Sequence, residues 1–168
     1  LQYNKDFVLR NKQWLMPKDA AKHVEAKFTY QIPKSGIYQI DLVHPYVSND
    51  ASPSYRISLL GGNKEGIVGK RINMKEAQKE SEKITTPVSL VYLSEGEHKG
   101  TIGGKFFVGF SHIVITPLQE DDPLPKILEE EAIKDNSKYD GVNPSIQVFA
   151  GSRTDDGMDY KTFAKSIE

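Results

Sequence analysis

Two stretches of this 168-residue chain carry side chains suited to gripping a flat, hydroxyl-bearing ligand. In residues 44 to 55, the rings of Tyr46 and Tyr55 stand among polar His44, Asn49 and Asp50. In residues 105 to 112, Phe107, Phe110 and His112 fall within one short run. An aromatic face stacks on apolar C–H surface, while imidazole, amide and carboxylate groups hydrogen-bond a ligand's hydroxyls. The candidate binding set is therefore His44, Tyr46, Asn49, Asp50, Tyr55, Phe107, Phe110 and His112, joined by Trp14, the lone tryptophan. A competing reading uses the same residue types. In it, Tyr46 and Tyr55 pack at strand ends, Asn49 and Asp50 form a turn, and Phe106, Phe107, Phe110 and Trp14 fill a core or an interface.

Catalytic chemistry finds less support. The histidines at 23, 44, 98 and 112 lie on separate segments, with no i, i+4 pair and no metal-ligand spacing. The absence of cysteine removes disulfides, thiolate zinc sites and a thiol nucleophile. No nucleophile elbow, phosphate loop, zinc-protease helix or calcium loop of the EF-hand type occurs. A late acidic run, Asp155, Asp156 and Asp159 beside Arg153, resembles catalytic acids after a strand. It also suits the N-terminal cap of a helix starting near Gly157. The chain is expected to be non-catalytic, and no metal site is predicted.

Charge divides the chain. Residues 1 to 118 carry 16 basic and 11 acidic groups, a net of +5; residues 119 to 168 carry 6 and 12, a net of -6, which together recover the overall -1. Without a global basic field, nucleic acid is excluded as a partner. The polar composition, 27% charged and 38% hydrophobic, holds no membrane span. The run Gln119 to Pro125, with three acids and two prolines, reads as the start of a linker. The opening Leu1-Gln2-Tyr3 lacks an initiator Met and an apolar signal core, and reads as the start of an excised piece of a longer product.

The elements that must position the candidate residues have a period of two. In residues 23 to 32, Val24, Ala26, Phe28, Tyr30 and Ile32 alternate with polar neighbours, as in a strand buried on one face. Pro33 to Gly36 predicts a hairpin into a second strand at Ile37 to Val43. Further strands are expected at Tyr55 to Leu60, Ile67 to Asn73, Val88 to Leu93, Lys99 to Ile102, Phe106 to Phe110 and His112 to Thr116. Val88 to Leu93, apolar on both faces except at Ser89, reads as the central strand. Lys75 to Lys83 has no apolar stripe and reads as a solvated loop or marginal helical turn. Lys126 to Lys134 and Asp156 to Ile167 are expected to be short helices, and Ser145 to Ala150 a strand. The fold class is mainly β: an antiparallel β-sandwich (jelly roll) over residues 1 to 118, an acidic linker with a short helix over 119 to 144, and a strand-loop-helix extension or the start of a following domain over 145 to 168.

Two phrases carry a family resemblance. Pro33-Lys34-Ser35-Gly36-Ile37-Tyr38 follows one strand, and Leu93-Ser94-Glu95-Gly96-Glu97-His98 ends a later one, with His112-Ile113-Val114-Ile115 after them. Over residues 23 to 118 the pattern resembles the galactose-binding-like β-sandwich of carbohydrate-binding modules of families 6 and 35. The resemblance implies a jelly roll that binds a polysaccharide or other glycan in its loops, as part of a larger secreted or surface protein (extracellular, or periplasmic) beside a catalytic domain such as a glycoside hydrolase or polysaccharide lyase. It also implies a structural calcium near an early Glu-x-Glu pair and a late Asp. Here only Glu25 stands early and Ser111-His112 late, so calcium is not supported and no cofactor is expected. The alternatives are a structural or protein-interaction sandwich docking a neighbouring domain, and a fragment of a glycoside-active enzyme.

Overall fold

A computed structural model of the protein describes residues 1–45, 54–60, 66–71, 83–118, 133–134 and 143–148. Its strands are β1 (Phe7–Arg10), β2 (Trp14–Pro17), β3 (Val24–Ile32), β4 (Gly36–Pro45), β5 (Ser54–Leu60), β6 (Gly66–Arg71), β7 (Lys83–Leu93), β8 (Gly96–Gly104), β9 (His112–Pro117), β10 (Ile133–Lys134) and β11 (Ser145–Val148). Four form one sheet in the order β3-β8-β5-β6, five form the other in the order β10-β7-β4-β9-β11, and β1-β2 make a separate ribbon. The two larger sheets face each other across one core that draws on β3, β5 and β8 from one side and β4, β7 and β9 from the other. The fold is a β-sandwich.

The alternation of β3 explains how one sheet meets the other. Val24, Ala26, Phe28, Tyr30 and Ile32 are buried while Glu25, Lys27, Thr29 and Gln31 are exposed, so each strand residue is committed to one side. Burial of a ring such as Phe28 contributes roughly 1.5 to 3 kcal/mol. Gly100 sits opposite Phe28 in β8, and a Cβ there would come within 2.5 Å of the Phe28 ring. The missing side chain is the space that the ring fills.

The hairpin expected at Pro33 to Gly36 is not formed. β3 pairs with β8, while β4 pairs with β7 and β9 in the opposite sheet, so the turn carries the chain across the sandwich. The reason lies in β4, which from Ile37 to Pro45 is buried on both faces and takes the centre of the five-stranded sheet. Val88 to Leu93, expected at that position, is the less covered strand: residues 89 to 92 are only half-buried. At Val88 the register between β4 and β7 slips by one residue. Pro87, which has no N–H to give a ladder, is accommodated beside that bulge.

Other differences have local causes. Phe106 to Phe110 is a turn with isolated bridges, not a strand, because Phe106 and Gly109 hold positive φ angles of 56° and 83°. Gly36 does not hold a positive φ, whereas Gly96 does, at 122°. Ile133 and Lys134, expected at the end of a helix, pair with β7 as a strand. Lys83, expected in a loop, is buried at the start of β7. β11 lies parallel to β9 in the five-stranded sheet, so residues 145 to 148 extend the sandwich itself. The ribbon β1-β2 was not expected; its turn places Asn11 and Lys12 both near φ 55°. The expectations for residues 75 to 82, 126 to 132 and 149 to 168 lie outside the described residues.

Two of the crossings between sheets, β3 to β4 and β7 to β8, lie at one end and use one device. The Tyr38 hydroxyl donates to the Lys34 carbonyl at 2.5 Å, and His98 Nε2 meets the Ser94 carbonyl at 2.5 Å, each four residues back. Ser35 Oγ accepts from the Glu95 N–H at 2.7 Å and ties the two crossings together. Replacing Tyr38→Phe removes one of these bonds and is expected to cost about 1 kcal/mol. A urea unfolding midpoint unchanged in Y38F would show that the tie contributes nothing.

Candidate functional site

The opposite end of the sandwich gathers the irregular backbone. There the start of β5 meets the segment between β8 and β9: Ser54 N–H donates to the Phe106 carbonyl at 2.8 Å, Val108 N–H to the Ser54 carbonyl at 2.9 Å, and Ser54 Oγ to the Lys105 carbonyl at 2.5 Å. The two candidate stretches thus meet through the backbone of Ser54. On its other side, Phe106 N–H donates to the Ala20 carbonyl at 2.8 Å.

The side chains named from sequence take other places. Tyr55, Phe107 and Phe110 belong to the core between the sheets, with exposures of 1%, 4% and 0%. Phe107 lies 6.3 Å from the Phe7 ring and 6.2 Å from the Phe110 ring. Trp14 packs with Val43 and Val114 in a second apolar cluster. These four rings are thus interior, as the competing reading of the sequence had it, and offer no open platform. Tyr46, Asn49 and Asp50 lie outside the described residues.

The two candidate histidines are also interior. His44 closes β4 with no exposed surface. Its Nδ1 is 3.0 Å from the Pro45 carbonyl and must donate, so Nε2 accepts from the Thr86 hydroxyl at 2.7 Å. Both ring nitrogens are engaged and the imidazole is held neutral. His112, at the start of β9, sets Nδ1 3.0 Å from Ser111 Oγ and is likewise fully buried. Burial lowers both rings from 6.5 to about 4. Among the described residues, no group of three His, Asp or Glu side chains is placed to hold a metal ion.

Phe106, which the competing reading of the sequence assigned to the core and which the candidate binding set left out, is the ring that the loop presents. Its φ of 56° is rare for a bulky residue and costs on the order of 1 kcal/mol. Hydrogen bonds on both sides, to Ala20 and Ser54, hold the strained backbone in place. The ring is half-buried, and the exposed Lys105 places its Nζ 5.4 Å from the ring centroid. Which of the two neighbouring rings is core is set by this turn: Phe107 is buried and Phe106 half-buried. The sequence contained that choice without resolving it.

The buried histidines fix a pH dependence. With folded values of about 4 below the ordinary 6.5, the unfolded chain takes up protons first. Stability present near neutrality is therefore lost as pH falls from 6.5 toward 4. Each ring is expected to withdraw about 2 kcal/mol by about pH 5. The variant H44Q, less stable at neutral pH, should lose less than the parent on acidification. Equal losses in the two proteins, measured by urea unfolding at both pH values, would contradict this assignment.

No family model matches the sequence, and no curated protein matches it. Among solved structures the chain is similar to Xyl-CBM35 in complex with a glucuronic acid containing disaccharide. The identity is 10% over 78% of this chain and 88% of that chain, with a TM-score of 0.48.

Proposed function

We propose that this chain is a non-catalytic carbohydrate-binding β-sandwich that grips a glycan at the end where β5 meets the turn before β9. The observation that carries the reading is Phe106: a half-buried ring on a backbone strained at φ 56° and pinned on both sides, with the Lys105 ammonium over one of its faces. A ring of this kind stacks on the C–H face of a pyranose, and Lys105 donates to its hydroxyls. The segment from Tyr46 to Asp50 leads into Ser54, so Tyr46, Asn49 and Asp50 are proposed to complete the site. In this reading residues 1 to 118 form the binding body, and the acidic segment after it links or extends it. The chain would target a larger secreted or surface protein to its polysaccharide by raising the local concentration of substrate near a catalytic neighbour.

Binding of the full chain to a panel of neutral and acidic glycans tests the proposal. Phe106→Ala is expected to weaken the glycan that binds best about tenfold, the equivalent of one stacked ring, with an unfolding midpoint near that of the parent. No retained glycan, or a glycan held equally by F106A, would reject the site.

A further inference from the structure

The outer face of the four-stranded sheet carries a second arrangement, apart from the Phe106 end. Two clefts of about 470 and 230 Å³ open on this face and share Thr101. The first runs between Lys27 and Thr29 of β3 and Lys99 and Thr101 of β8. The second lies between Glu25 and Arg56, over Gly103 and beside Ser58.

Register shows how these side chains form one track. Glu25, Gly103 and Arg56 lie in a row across β3, β8 and β5; Lys27, Thr101 and Ser58 form the next row; Thr29 and Lys99 the one after. Rows of same-facing residues are about 7 Å apart along a strand and about 5 Å between strands. A cation therefore stands in each successive row: Arg56, Lys27, Lys99. Gly103 keeps the floor of the first row low between Glu25 and Arg56. A Cβ there would meet the Val24 carbonyl oxygen at 1.9 Å, so the position is closed to any side chain while β3 and β8 stay paired.

The charges on this face are unspent. Glu25, Lys27, Arg56 and Lys99 are exposed, and the Lys22–Asp6 ion pair uses none of them. Over these three rows three cations face one carboxylate, and the next row adds Gln31 and the exposed Glu97, so the positive charge is confined to the rows of Arg56, Lys27 and Lys99. Hydroxyls of Thr29, Thr101 and Ser58 stand between the cations, able both to donate and to accept. No aromatic ring stands on the track, so it lacks the stacking platform that single-stranded nucleic acid uses.

We infer that this face is a second binding track, for a linear acidic polysaccharide. The anionic oxygens of the sugar chain sit on Arg56, Lys27 and Lys99, and its hydroxyls bond to Thr101, Ser58 and Glu25. The inference does not rest on the Phe106 site; a chain that bound no glycan through Phe106 could still carry this track.

The test measures affinity of the full chain for four soluble polymers: polygalacturonate, dextran sulfate, uncharged dextran and polyglutamate. The expected result is binding to polygalacturonate or dextran sulfate that weakens as salt rises, with the preferred polymer telling whether carboxylate or sulfate is read. The double variant K27A/K99A and the single variant R56A should each weaken that binding about tenfold, with unchanged thermal midpoints. Failure to bind either acidic polysaccharide, equal binding of polyglutamate or dextran, or full affinity in K27A/K99A would overturn the inference.

Discussion

The constraint on which the rest of this sandwich depends is that the chain must change sheets twice at the same end. β3 and β4 are consecutive yet lie in opposite sheets, and so do β7 and β8. Each crossing is short, so it can be made only if its backbone is held where the two sheets come within a few residues of each other. Gly36 pairs with Leu93 and Ile32 pairs with Gly96, which sets the two crossings side by side. A side chain then reaches back four residues to a carbonyl in each: Tyr38 to Lys34, His98 to Ser94. The His98 ring also stacks on Tyr30, 5.4 Å away at 21°. This contact couples the second crossing to the strand that leads into the first.

That arrangement divides the molecule. The crossing end is tied together by these hydrogen bonds. The other end takes the longer connections, and there the backbone adopts the strained conformation at Phe106 and the glycine conformations at 104 and 109. Gly109 illustrates the cost of closing this end: a Cβ would come within 2.9 Å of Met16 and 3.1 Å of the Leu15 carbonyl. The turn before β9 can lie on β2, with Leu15 and Phe110 exchanging two backbone hydrogen bonds, only because that position is bare. Rigid support from beneath is what lets a loop hold a ring outward.

What could be read from the sequence follows the same division. Period-two alternation reveals which face of β3 is inward, and it located most strands to within a few residues, because one-sided burial leaves a direct trace in residue type. Topology left a weaker trace. Pro33-Lys34-Ser35-Gly36 has the composition of a hairpin turn, and nothing local distinguishes a turn within a sheet from one between sheets. The distinction comes from β4, whose two-sided burial includes polar Gln39 and Asp41, joined by a 3.0 Å hydrogen bond. Polar residues inside a buried strand hide its centrality from any reading based on hydrophobicity. The candidate rings suffered from the converse problem: aromatic side chains near loops satisfy a core and a binding surface equally well, and the turn with its positive φ at Phe106 is what separates Phe106 from Phe107.

The same reasoning shows why the positive charge of the sandwich matters more than its count. A charge that neutralises its neighbour adds nothing to recognition, and one on a covered face is unavailable. The five-stranded sheet has little free outer surface at its centre: Gln39, Asp41, Val43, His112 and Val114 are all buried there. Its outward groups are engaged with structure. The four-stranded sheet is the reverse, with β3 exposing every second residue and β8 contributing glycines and hydroxyls in place of bulk. Because a strand fixes side-chain direction at each position, cations on β3, β8 and β5 cannot fold inward to find partners; they stay on that face, spaced by the pleat. Among the described residues, Arg56, Lys27 and Lys99 thus share one face across β5, β3 and β8.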